Sequence, residues 1–160
     1  MMPDAKDKKE DKKSAAVGEK ITVGGVFVSQ SEADTFEFAK GFASRLKGGE
    51  CIALFGGLGA GKTVFSKGIA AGLSVMDTVT SPTFIIMNEY RGEKLKLYHF
   101  DMYRIDAAQA ENLGFLELFG EKNAVCLIEW PENIREILLK NAVKIEITRA
   151  GENGRTIKFI

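Results

Sequence analysis

Short, wholly apolar runs alternate along this chain with stretches whose apolar side chains recur every three or four residues. Residues 21–28 are β-branched and aromatic, broken by Gly24 and Gly25, and predict a strand pair or a kinked edge strand. Ser31 then opens a helix, with Asp34 three residues on as a loose capping box. Phe36, Ala39, Phe42, Ala43 and Leu46 give that helix one apolar stripe, and Gly48 and Gly49 are expected to end it. Cys51–Phe55 reads as a buried parallel strand. Residues 62–73 carry Phe65, Ile69 and Leu73 at helical spacing. Residues 84–90 and 94–101 predict a hairpin that turns at Arg91, Gly92 and Glu93. Asp106 is placed to start a helix over residues 107–113, and residues 115–119 form a short apolar turn. Residues 124–128 are another all-apolar strand, stopped by Pro131. A brief helix over residues 133–139 follows, then strands over 142–148 and 156–160. This alternation predicts a three-layer α/β fold. A mixed, mostly parallel central sheet would carry helices on both faces.

Composition narrows the picture. At 160 residues the chain fits one domain, taken as residues 21–160. Residues 1–20 interleave acids and lysines with too little apolar surface to bury, and read as a disordered tail. Lysine plus arginine equals aspartate plus glutamate, 22 against 22, which removes any argument for a generic polyanion binder. Cys51 and Cys126 each sit in an apolar run and read as reduced core residues of a cytoplasmic protein. No apolar run approaches the roughly 20 residues that span a membrane, and the charged N-terminus lacks the core of a secretory signal.

The chemistry concentrates in Gly56-Gly57-Leu58-Gly59-Ala60-Gly61-Lys62-Thr63, which fits G-x-x-x-x-G-K-[ST] between a strand and a helix. Backbone N–H groups of such a loop turn toward a phosphate, and the helix N-terminus adds partial positive charge. The nucleotide contacts are assigned to Gly57 through Val64. Lys62 is expected at the β- and γ-phosphates, and the Thr63 hydroxyl on Mg²⁺. Glu129 ends an apolar strand, so the strand delivers its carboxylate to the sheet edge beside the loop as a second Mg²⁺ contact. Asp101 ends a different strand and is assigned to orienting or deprotonating an attacking water or substrate hydroxyl, with capping of the following turn as the plain alternative. His99, the only histidine, fits a structural role better than a catalytic one. Arg104 is a candidate for phosphate charge, against a surface ion pair. Trp130, next to Glu129, is placed near the site. No N-K-x-D guanine signature occurs, which favours ATP.

Four motifs in this order carry a resemblance: the glycine loop, then Ser81-Pro82-Thr83-Phe84, then His99-Phe100-Asp101-Met102-Tyr103-Arg104, then Ile128-Glu129-Trp130-Pro131. Over residues 21–160 the chain resembles the TsaE (YjeE) family of bacterial ATPases required for threonylcarbamoyladenosine modification of tRNA. The resemblance implies a Mg²⁺-dependent ATPase, weak alone, that works with the TsaB–TsaD pair and meets tRNA only through it. It implies that Thr63 and Glu129 hold Mg²⁺ and that Ser81, Pro82 and Thr83 behave like a switch. It also brings Glu32 and Arg155 near the nucleotide. Two other readings remain open at this point: a small-molecule kinase, and a non-catalytic scaffold gated by ATP.

Overall fold

Two strands with no polar interruption sit where such strands must sit, in the middle of the sheet. The computed structural model describes residues 23–160; the tail over residues 1–20, and the first two positions of the expected N-terminal strand, lie outside the described residues. In chain order the elements are β1 (Val26–Ser29), α1 (Glu32–Ala43), β2 (Cys51–Phe55), α2 (Lys62–Gly72), β3 (Met87–Arg91), β4 (Lys96–Asp101), α3 (Ala107–Asn112), β5 (Ala124–Glu129), β6 (Val143–Ala150) and β7 (Gly154–Phe159). Two 3₁₀ turns, Phe115–Glu117 and Pro131–Ile134, flank β5. One seven-stranded sheet runs β1-β7-β6-β2-β5-β4-β3.

The sheet is mixed, but parallel pairs do not dominate it. β6, β2, β5 and β4 pair in parallel, whereas β1–β7, β6–β7 and β3–β4 are antiparallel. The two hairpins, β3–β4 and β6–β7, account for two of the three antiparallel pairs, because short connections join only antiparallel neighbours, and β1 adds the third by pairing with the distant β7. β1 is an edge strand, as its glycine break suggested. Cys51 and Cys126 are register partners across β2 and β5, both buried and both free thiols.

One face of the sheet packs α1 and α2 against Ile52, Leu54, Leu127, Ile145 and Ile157. The other face packs Ala110 of α3, Phe115 and Ile134 against Phe100, Cys126 and Ile128. Residues 97, 99 and 101 of β4 alternate with 98 and 100, so His99 and Asp101 share the face of Leu97 and α2.

α1 shows where the periodicity misled. Its Ser31 cap accepts from Asp34 N–H as expected. Its buried stripe is Thr35, Phe38, Ala39, Phe42 and Ala43, and Phe36 is only half-buried. The helix serves two neighbours. Phe38 and Phe42 meet Phe27 and Phe159 on the sheet, whereas the small Ala39 and Ala43 face α2. The helix also ends at Ala43, before Gly48 and Gly49, where the Ser44 hydroxyl donates to Gly41 O at 2.7 Å. Glu50 then gathers the amides of Lys47 and Gly48, each at 2.8 Å, into a loop of their own.

Two further boundaries move. The first hairpin strand starts at Met87; residues 83–86 form a turn in which the amides of Ile85 and Ile86 donate to Pro82 O. The helix expected over 133–139 is instead the 3₁₀ turn Pro131–Ile134, followed by turns in which the amides of Ile137 and Leu138 both donate to Ile134 O, while Asn133 Nδ2 donates to Met102 O at 2.7 Å.

The α1–α2 contact rests on glycine. A Cβ built on Gly68 would lie 2.5 Å from Phe36 O and 2.6 Å from Ala39 Cβ, and one on Gly72 would meet Lys40 O and Ala43 Cβ. Alanine improves helix propensity by up to about 1 kcal/mol, but these neighbours are backbone oxygens and alanine Cβ atoms that cannot rotate aside. Gly68→Ala and Gly72→Ala should each cost about 1–3 kcal/mol in chemical denaturation. Wild-type midpoints would show that the helices separate freely.

Candidate functional site: a cleft around the glycine loop

β2 ends in the sheet interior, and the chain then turns through Gly56–Gly61 into α2. Gly61 caps α2 with φ 106°, a left-handed conformation that a side chain would strain. Lys62 and Thr63 open the helix, where backbone N–H groups have no intrahelical acceptor. The loop lines a cleft of about 410 Å³ together with Glu32, Leu58, Val64, Ser81, Thr83, Asp101, Glu129, Trp130, Arg149 and Arg155.

Lys62 is the unusual member. It is only 8 % exposed, yet its Nζ has no hydrogen-bond partner. The ammonium lies 3.9 Å from the centroid of the Trp130 ring. Burial pushes its pKa below the ordinary 10.5, against the opposing pull of Glu129, Asp101 and Glu132. A buried cation without an acceptor is costly unless something anionic arrives.

Asp101 and Glu129 are register partners at the carboxyl ends of β4 and β5 and are almost wholly buried. Asp101 Oδ1 accepts from Tyr103 N–H at 2.9 Å, which caps the turn after β4. Its Oδ2 accepts from the Thr83 hydroxyl at 3.1 Å, and Thr83 in turn lies 2.7 Å from the Ser81 hydroxyl. The backbone of the same loop also holds Asp101, whose N–H donates to Ile86 O at 2.8 Å. Ile86 adopts φ 69°, rare for a β-branched residue. Glu129 Oε2 lies 3.1 Å from His99 Nε2, which leaves Oε1 for another partner. His99 is buried behind Glu129 and does not line the cleft.

The structure therefore gathers Glu32, Leu58 through Val64, Ser81, Thr83, Asp101, Glu129, Trp130 and Arg155 around one space. Gly57, Pro82, Tyr103 and Arg104 are not part of its lining. Tyr103 packs on Trp130 with ring centroids 5.0 Å apart. Arg104 lies over the exposed Phe84 ring, 5.5 Å from its centroid, and not over the cleft. Sequence reasoning passed over Arg149, whose guanidinium donates through Nε to Gly59 O at 3.3 Å. Arg149 and Arg155 are register partners across the β6–β7 hairpin. That pairing was readable only once the register was known.

Thr63 and Glu129 offer a hydroxyl and one free carboxylate oxygen, hard donors suited to Mg²⁺. The left-handed glycine at the helix start and the unpartnered Lys62 ammonium suit a polyphosphate. Fold and site together define an α/β protein with a glycine-loop cleft edged by two strand-end carboxylates.

Comparison with known proteins supports a narrower placement. The family model for Threonylcarbamoyl adenosine biosynthesis protein TsaE matches residues 29–157. The chain is 44 % identical to the tRNA threonylcarbamoyladenosine biosynthesis protein TsaE of Bacillus subtilis over 126 residues, covering 79 % of this chain and 78 % of that one. It is 39 % identical to the protein of the same name from Aquifex aeolicus, over 76 % and 94 % of the two chains. The crystal structure of Bacillus subtilis YdiB superposes with a TM-score of 0.74 at 37 % identity, covering 88 % of this chain and 87 % of that one. The chain belongs to the TsaE family, whose members are named for tRNA threonylcarbamoyladenosine biosynthesis. Among the described residues no helix is long and apolar enough to cross a membrane.

Proposed function

We propose that this chain is the Mg²⁺-dependent ATPase subunit of the tRNA threonylcarbamoyladenosine system, a phosphate-loop NTPase with a three-layer fold. It acts in the cytoplasm with a TsaB–TsaD pair and meets tRNA only through that pair. The observation that carries the reading is the buried, unpartnered Lys62 ammonium at the start of α2, facing a cleft that also holds Asp101 and Glu129.

The mechanism follows from what these side chains can do. The amides of the glycine loop and the start of α2 orient the phosphate chain. Lys62 leaves the Trp130 face and offers its ammonium to β- and γ-phosphate oxygens. Thr63 and Glu129 would hold Mg²⁺, which supplies charge neutralisation to the phosphates. Asp101 accepts from the attacking water and fixes its direction, provided its Oδ2 is released from Thr83. Water positioning of this kind requires tight geometry, so the Ser81–Thr83 loop controls the rate. Hydrolysis by the isolated chain is therefore slow, and a partner that repositions the loop accelerates it.

Steady-state hydrolysis measured with and without the TsaB–TsaD pair tests the reading. Stimulation of at least tenfold is the expected result. Equal rates, or no hydrolysis under either condition, would overturn it.

A further inference from the structure

We infer that Arg149 is a second arginine of the phosphate site, taking charge from the bound phosphate chain on the flank opposite Asp101 and Glu129. The inference rests on the nucleotide reading above and extends it to a residue that the motifs do not contain.

Strand order supplies the placement. The glycine loop follows β2, with β5 and β4 on one side and β6 on the other. The carboxylates of Asp101 and Glu129 end β4 and β5, so they edge the cleft on one flank. Arg149 lies near the end of β6 and Arg155 near the start of β7, so they edge it on the other. Both line the cleft.

Arg155 is part-buried and incompletely satisfied, whereas Arg149 is exposed and held to the loop by one long bond. Arg149 Nε and Arg155 Nη2 donate to the same acceptor, Gly59 O, at 3.3 and 3.4 Å. Both bonds are long for N–H···O and are readily given up. Arg155 Nη1 donates to Gly154 O at 2.7 Å, but its Nε is buried without a partner. Among the described residues neither arginine forms an ion pair. Two like charges converge on one carbonyl with no acid at ion-pair distance among the described residues, and a planar guanidinium matches phosphate oxygens in pairs. Both also pack against the loop itself: a Cβ on Gly59 would lie 3.0 Å from Arg149 Nη2, and one on Gly61 3.1 Å from Arg155 Nε. A phosphate chain entering the loop therefore arrives within reach of both.

The test separates charge from bracing. Arg149→Gln retains a donor for Gly59 O and loses the charge; Arg149→Lys retains the charge. Affinities for ATP, ADP and inorganic tripolyphosphate are measured by calorimetry at low and high salt, with circular dichroism confirming the fold. Arg149→Gln should weaken all three by about tenfold or more, since a charged hydrogen bond is lost, and should flatten the salt dependence. Arg149→Lys should keep most of the affinity. Wild-type binding by Arg149→Gln would overturn the inference. So would equal losses in both variants, which mean bracing, or a loss for ATP that spares tripolyphosphate, which means a nucleoside contact. Absence of nucleotide binding by the wild-type protein would instead overturn the underlying reading.

Discussion

Replacing Lys62 by alanine should lower ATP affinity by roughly a hundredfold or more, the range seen when one member of a buried charge pair is removed. The ammonium is buried, without a hydrogen-bond partner and capped by an indole face. That arrangement holds the cation where the fold alone would not favour it, and a phosphate is the natural recipient. A pH signature follows. Burial lowers the Lys62 pKa from 10.5, so on the alkaline side the free protein gives up this proton while the unfolded chain still holds it. The free protein therefore gains stability as pH rises from that lowered value toward 10.5, because the unfolded state binds more protons across the window. Bound phosphate favours the charged form, so binding in the same window should take up a proton and affinity should fall with rising pH. Calorimetry in buffers of different ionisation enthalpy measures the uptake, and Lys62→Ala should abolish it. Retained affinity in Lys62→Ala, or no proton linkage in the wild type, would show that the ammonium does not meet the ligand. Because the ammonium leaves the indole face on binding, Trp130 fluorescence should report the same event.

Replacing Asp101 by asparagine should leave ATP binding intact and slow single-turnover hydrolysis by roughly 10²–10⁴, the usual contribution of a positioned base. The substitution is conservative where it stands. The asparagine oxygen can accept from Tyr103 N–H, as Oδ1 does now, and its amide can donate to the Thr83 hydroxyl. The turn cap therefore survives and the acceptor for water is lost. The test is the paired measurement of ATP affinity and single-turnover rate. Unchanged hydrolysis would leave Asp101 as a turn cap only. Lost affinity with an intact fold would make it a ligand of metal or nucleotide. Full pathway support in cells by a variant unable to hydrolyse ATP would favour a nucleotide-gated scaffold.

The sequence exposed the site more fully than the packing around it. The glycine loop, Asp101 and Glu129 were legible because each depends on local order: a turn between strand and helix, or an acid ending an apolar strand. Arg104 sits three residues from Asp101, yet the turn after β4 carries it out over Phe84. Arg149 had no local signal, since its place depends on which strand lies beside β2. α1 failed for a related reason: the sequence FEFAKGFA supports two overlapping stripes, and only its two neighbours select Phe38 over Phe36. The share of parallel pairs was overestimated because the antiparallel pairing of β1 with β7 joins residues far apart in the chain and leaves no local signal.

The close approach of α1 and α2 also bears on how variation in this chain would be read. Gly68 and Gly72 line no part of the glycine-loop cleft, yet backbone atoms of α1 occupy the space any side chain would take. A saturation screen scored on growth would mark both positions as intolerant beside Lys62 and Asp101. Purified variants would separate the groups: at 68 and 72 selection acts on the amount of folded protein, whereas at 62 and 101 it acts on what each molecule does.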